Sequence, residues 1–162
     1  MTAATYAPLE IAPMWARIND ELIELVDLVP DDKLDWSPEP ELWNFKGILL
    51  HVVLGRGIIA ALVPDGSPVQ DALQAGQTKE GLKELLRRSW ESMVPFLCDA
   101  ELLARGYEVP FEGQTHHLSG HWLVFGQLEH DIHHRADILH YLRQLGIEHE
   151  EPDAVAWKLR QG

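Results

Sequence analysis

Nine histidines stand among the 162 residues of this chain, and three of them, His130, His133 and His134, fall within one short stretch. His130 and His134 are four apart. On a helix that spacing puts both imidazoles on one face, with Cβ atoms about 5–6 Å from each other. Two imidazoles so placed can converge on one divalent ion at metal–nitrogen lengths of about 2.0–2.1 Å. His51 is flanked by Leu49, Leu50, Val52 and Val53 and shares a helical face with Ile48 and Gly55. An imidazole on an apolar face needs a partner, because its ring nitrogens lose water. That partner is a backbone or carboxylate group, or a metal. Three inward-pointing histidines from two helices favour the metal. Three neutral nitrogens would leave coordination positions open for water or substrate, as catalytic sites do and structural zinc sites do not.

Other residues are placed to assist. Asp137 continues the His130–His134 face and can accept an imidazole N–H from a ligand histidine. Gly126, on the same face, would leave space over the site. His133 lies about 60° around the helix from His130, pointing toward a neighbouring helix in a structural or supporting role. Arg56 and Arg135 could each hold an anionic substrate, or each sit in a surface salt bridge. With a metal-activated water, Asp137 or His133 is the candidate proton acceptor. His121 falls on the opposite face. His116 and His117 precede the last helix in a loop, and His140 and His149 are expected at the surface. No glutamate is followed by histidine three residues later, which argues against a di-iron carboxylate bundle. The His-Glu-x-x-His zinc-protease motif is also absent.

These groups need elements to position them. Helical periodicity predicts four helices, over about 9–29, 44–63, 78–104 and 119–145, in a single domain spanning 1–162. In the first, Ile11, Trp15, Ile18, Leu22, Leu25 and Val29 form one apolar stripe, with Asn19, Asp20, Glu24 and Asp27 mostly facing water. Asn44 and Thr78 are N-cap residues for the second and third helices. Gly106 and Gly146 suit helix C-termini. The segment 107–118 reads as an irregular loop or a short hairpin. Trp15 is expected in the core, with Trp90 and Trp122 packing between helices and Trp36 and Trp43 near the metal end of the first linker. Cys98 is expected to be buried and, without a nearby base, is not read as a nucleophile. In the tail, Val155, Trp157 and Leu159 could dock on the bundle or on a second subunit.

Composition narrows the partners. Thirteen Lys and Arg against 26 Asp and Glu give a formal charge of −13. Nucleic acid and anionic membranes are therefore not expected to bind, since phosphate contacts need clustered cations. The most apolar stretch, 47–63, is interrupted by His51 and Arg56, so no membrane span is expected. The N-terminus lacks a basic region followed by an apolar one, and one cysteine cannot form an internal disulfide; a cytoplasmic location is the default expectation.

Several segments resemble the DinB-like family. Leu128-Glu129-His130-Asp131-Ile132-His133-His134-Arg135-Ala136-Asp137-Ile138-Leu139, with Tyr141-Leu142-Arg143-Gln144-Leu145-Gly146 after it, is similar to the family's last-helix signature. Trp43-Asn44-Phe45 with Ile48-Leu49-Leu50-His51 is similar to its second-helix motif, and Leu34-Asp35-Trp36-Ser37-Pro38 to its first linker. The resemblance implies an all-α, up-up-down-down four-helix bundle, often a homodimer. It implies one divalent ion, such as zinc, nickel or iron, on residues matching His51, His130 and His134. The implied activities include thiol-dependent S-transfer, with a low-molecular-weight thiol as co-substrate, and hydrolysis; a non-catalytic metal-binding stress-response bundle is the alternative. The pattern departs at Ala136-Asp137, where the family commonly carries Gly-Gln.

Overall fold

The computed structural model describes residues 11–111 and 113–149. The expected start of the first helix at Leu9, and the tail residues Val155, Trp157 and Leu159, lie outside them. The elements are α1 (Ile11–Leu28), a 3-10 turn at Asp31–Lys33, α2 (Phe45–Ala60), α3 (Ala72–Ala75), α4 (Lys79–Leu97), α5 (Ala100–Ala104), β1 (Gly106–Phe111), β2 (Gln114–Ser119) and α6 (Gly120–Gln144). Capping residues fix the helix starts. The Asn44 side chain accepts from the Gly47 amide at 2.7 Å, and Thr78 from the Gly81 amide at 3.1 Å. Gly146, at φ +71°, closes α6. There the Ile147 amide bonds to the Leu142 carbonyl and that of Gly146 to Arg143, both at 2.9 Å, the six-to-one and five-to-two bonds of a Schellman ending.

Three expectations are corrected. The third helix is not continuous to residue 104. Pro95 lies inside its last turns and has no N–H to donate, and Asp99 then caps α5 by accepting from the Glu101 and Leu102 amides. The fold is not strictly all-α, because residues 106–119 form an antiparallel hairpin in which Gly106 pairs with Ser119 and Phe111 with Gln114. The helix directions also differ from up-up-down-down. Lys79, at the start of α4, donates to the Asp27 and Val29 carbonyls at the end of α1, at 3.0 and 2.9 Å. Phe45, at the start of α2, packs against Tyr141 near the end of α6. So α1 and α6 end where α2 and α4 begin, and the directions run up-down-down-up. The reason lies in the first linker. Tight turns bond Lys33 to Pro30 and Trp36 to Lys33, and Leu34 then pairs with the Lys46 amide, holding the linker at one end of the bundle. The traverse falls instead to residues 61–78, between α2 and α4.

Around the bundle the neighbours run α1, α4, α2, α6. The core has two apolar clusters. One holds Leu22, Val52, Val53, Leu86 and Ile138; the other holds Trp15, Ile59, Met93 and Val124. On every long helix a polar residue falls between them: Asn19, Arg56, Ser89 and Asp131, all buried. Asn19 was expected to face water; its amide oxygen instead accepts from Arg56 at 2.7 Å. Trp122 was expected to pack between helices but is 62% exposed, and Cys98 was expected to be buried but is exposed. Among the described residues, no helix is long and apolar enough to cross a membrane.

Candidate metal centre

Helix α2 brings His51 against His130 and His134 of α6. One nitrogen from each ring lies within 4.8 Å of the other two. Ring centroids are 4.6 Å apart for His51 and His130, 4.9 Å for His51 and His134, and 4.5 Å for His130 and His134. Gly55, one turn after His51, allows this approach: a Cβ there would lie 3.1 Å from the His130 ring and from the Gln127 amide. Gly126, one turn before His130, has open space around it, with nothing within 4 Å of where a Cβ would stand. Trp43 flanks the cluster. Its ring meets His51 edge-on at 4.3 Å and lies nearly parallel to His134 at 6.0 Å. Trp36 packs instead on Phe45 and Tyr141.

The second nitrogens of the two α6 histidines are engaged. His134 Nδ1 is 3.0 Å from Asp137 Oδ2, and His130 Nδ1 is 3.1 Å from the Gln127 side-chain nitrogen. With Nδ1 donating to Asp137, His134 keeps Nε2 for an ion; His130 offers Nε2 in the tautomer whose Nδ1–H turns to Asp131 Oδ1, 3.7 Å away, since the Gln127 nitrogen only donates. Burial, then repulsion from His130 and His134, lowers the His51 pKa from 6.5 to about 4. Burial also lowers His134, against the opposing pull of its hydrogen bond to Asp137. Both rings are therefore neutral at neutral pH, the form that ligates metals. Three imidazoles with ligand nitrogens this close fit a divalent ion of the zinc, nickel or iron type.

His133 was expected to point at a neighbouring helix. It is instead exposed, with Nε2 3.6 Å from Asp137 Oδ2, because its turn of α6 faces solvent. Neither arginine is free to hold a substrate. Arg56 is wholly buried, its Nε donating to Asp131 Oδ2 at 2.8 Å and its Nη1 to Asn19, the Leu86 carbonyl and Ser89. Arg135 is paired with Glu21 of α1. His116, His117, His121 and His140 are exposed and outside the cluster. Asp131 is the functional neighbour that sequence reasoning missed. It is buried, accepts from Trp15 Nε1 at 2.7 Å and from Gln127 at 2.9 Å, and has Oδ1 3.7 Å from His130 Nδ1. The available signal was Arg56, a cation inside the most apolar stretch of the chain, which requires a buried anion elsewhere.

The cluster makes the metal-free protein acid-sensitive. A histidine whose folded pKa lies below its unfolded value stabilises the fold above about 6.5, and that contribution is lost as pH falls toward about 4. Urea midpoints of the metal-free chain should therefore fall between pH 7 and pH 4.5, and the fall should be smaller in His51→Gln. An equal fall in both would remove His51 from the effect.

No curated protein matches the chain. Solved structures share its fold, three of them as follows. A DinB-like protein of Bacillus subtilis, YjoA, superposes with a TM-score of 0.66 at 21% identity, covering 89% of this chain and 96% of its own. A DinB-like protein of Bacillus cereus gives 0.65 at 16% identity, covering 86% and 93%. YfiT of Bacillus subtilis, described as a probable metal-dependent hydrolase with an unusual four-helix bundle topology, gives 0.56 at 16%, covering 90% and 97%. The model of the DinB family matches residues 1–160, nearly the whole length in which the two histidine-bearing helices were found, and the chain belongs to that family.

Proposed function

We propose that this protein is a metal-dependent hydrolase whose divalent ion is held by His51, His130 and His134. The observation that carries the reading is the convergence of these rings, two of them held neutral, beside an open groove. The description of YfiT as a probable metal-dependent hydrolase supports the same class. An ion there would supply Lewis-acid activation of a water or of a substrate oxygen. The protein's own groups do the rest. Asp137 fixes the orientation of His134 through Nδ1. In this reading Asp137 or His133, near each other at the solvent edge, accepts the proton. A thiol-transfer reading draws less support, because both arginines that could hold a carboxylated thiol are already paired. Homodimerisation belongs to the same proposal, with Ile58, Trp122 and Phe125 as exposed apolar surface; a monomeric mass in sedimentation would remove it.

The test is turnover of neutral esters and amides by the zinc-, nickel- and iron-loaded protein beside His51→Ala. The expected result is hydrolysis that falls at least about a hundredfold in the variant. Stoichiometric metal with no turnover of any substrate would leave the non-catalytic metal-binding bundle as the reading.

A further inference from the structure

A groove of about 490 Å³ opens beside His51, lined by Leu42, Trp43, Leu50, Leu54 and Leu73. Leu42, Trp43, Leu54 and Leu73 are between 46% and 68% exposed, so large apolar side chains surround a concavity instead of packing inward. Asn44, also in the lining, has its oxygen engaged in capping α2. Trp43 links the groove to the cluster, since its ring touches both His51 and His134. A group lying in the groove therefore lies against His51 and against the tryptophan that flanks His134.

Among the described residues, no protein cation lines the groove. Arg56 is held by Asp131 and Arg135 by Glu21, while Lys46, at the start of α2, is 2.6 Å from Asp35. The chain as a whole carries −13. In the apolar body of the groove, away from the proposed ion, an anionic group would lose water and gain no counter-charge. An uncharged alkyl or aryl group would lose only unfavourable hydration and gain the face of Trp43.

We propose that the groove is the substrate-side pocket of the centre and takes the uncharged apolar body of an ester or amide, discriminating against carboxylates of the same shape. The inference rests on the hydrolase reading for the word substrate, but the groove's preference is measurable without turnover. Benzamide and benzoate are a suitable pair of probes, nearly equal in shape and different in charge. Binding would be followed by amide and indole NMR shifts of the full-length chain, both metal-free and zinc-loaded.

In the metal-free chain benzamide should shift the Trp43 indole together with Leu54 and Leu73, and benzoate should bind at least about tenfold more weakly. Leu73→Lys, at a 68% exposed position where folding is not at risk, should narrow or reverse that order. Equal binding of both probes, no shift at groove residues with either, or an unchanged order in Leu73→Lys would each overturn the proposal. Benzamide bound in the groove of a protein that hydrolyses nothing would instead refute the hydrolase reading and leave the pocket's preference standing.

Discussion

Asp131→Ala is expected to cost the fold about 3–5 kcal/mol, read as the change in urea unfolding free energy of the metal-free chain. Asp131 and Arg56 are both fully buried, and the pair sits where all four long helices meet. Burial pushes the Asp131 carboxyl up, but the Arg56 guanidinium, with bonds from His130, Trp15 and Gln127, outweighs it and holds the group below the usual carboxylate range. Removing the carboxylate would leave the guanidinium charged in the core. It would also strand the donors of Trp15 and Gln127. Arg56 has little left to fall back on, because its Nη2 already lacks a partner among the described residues. Against a typical domain stability of about 5–15 kcal/mol, the loss is a large fraction. Arg56→Met combined with Asp131→Leu should recover most of it, since removing both members of a buried pair is far less costly than removing one. A loss under about 1 kcal/mol in Asp131→Ala would mean that the guanidinium finds water or another acceptor, and that the mid-bundle polar layer is not a brace.

That layer also marks the limit of what the sequence made legible. The four long helices could be read because apolar residues recur at helical spacing, as Trp15, Leu22 and Leu25 do in α1 and Leu82, Leu85 and Met93 in α4. The histidine cluster could be read because His130 and His134 are one turn apart, and His51 stands in an apolar helix. Periodicity is silent on what a polar residue meets. Asn19 reads as solvent-facing by type, and only the arrival of Arg56 from the diagonally opposite helix buries it. Arg56 and Asp131 are 75 residues apart, so their pairing has no local signature. Helix direction was hidden for a related reason. It depends on whether residues 29–44 traverse the bundle or turn at its end, and that is decided by turn bonds and by Leu34 and Trp36 packing at that end. The groove was hidden as well, because Leu42, Leu54 and Leu73 come from three segments and nothing local marks them as neighbours.

His130→Ala is expected to take the metal content of the dialysed protein from about one ion per chain to near none. A three-nitrogen site that loses one donor keeps His51 and His134, which cannot hold a divalent ion against chelation at the affinity of the full set. Asp137→Asn spares all three ligands and weakens only the acceptor that orients His134, so it should weaken binding by about 10- to 100-fold in chelator competition. The ordering is the informative part, because loss of folding would affect both variants without regard to which touches the ion. A second readout needs no metal. His130 is one of the two neighbours whose repulsion helps lower the His51 pKa to about 4. In the metal-free His130→Ala protein that repulsion is gone, so His51 should titrate higher when followed by NMR. A raised His51 pKa together with lost metal places both rings around one point. An unchanged metal content would mean that the ion is held elsewhere, with the exposed His133 and Asp137 the next donors to test.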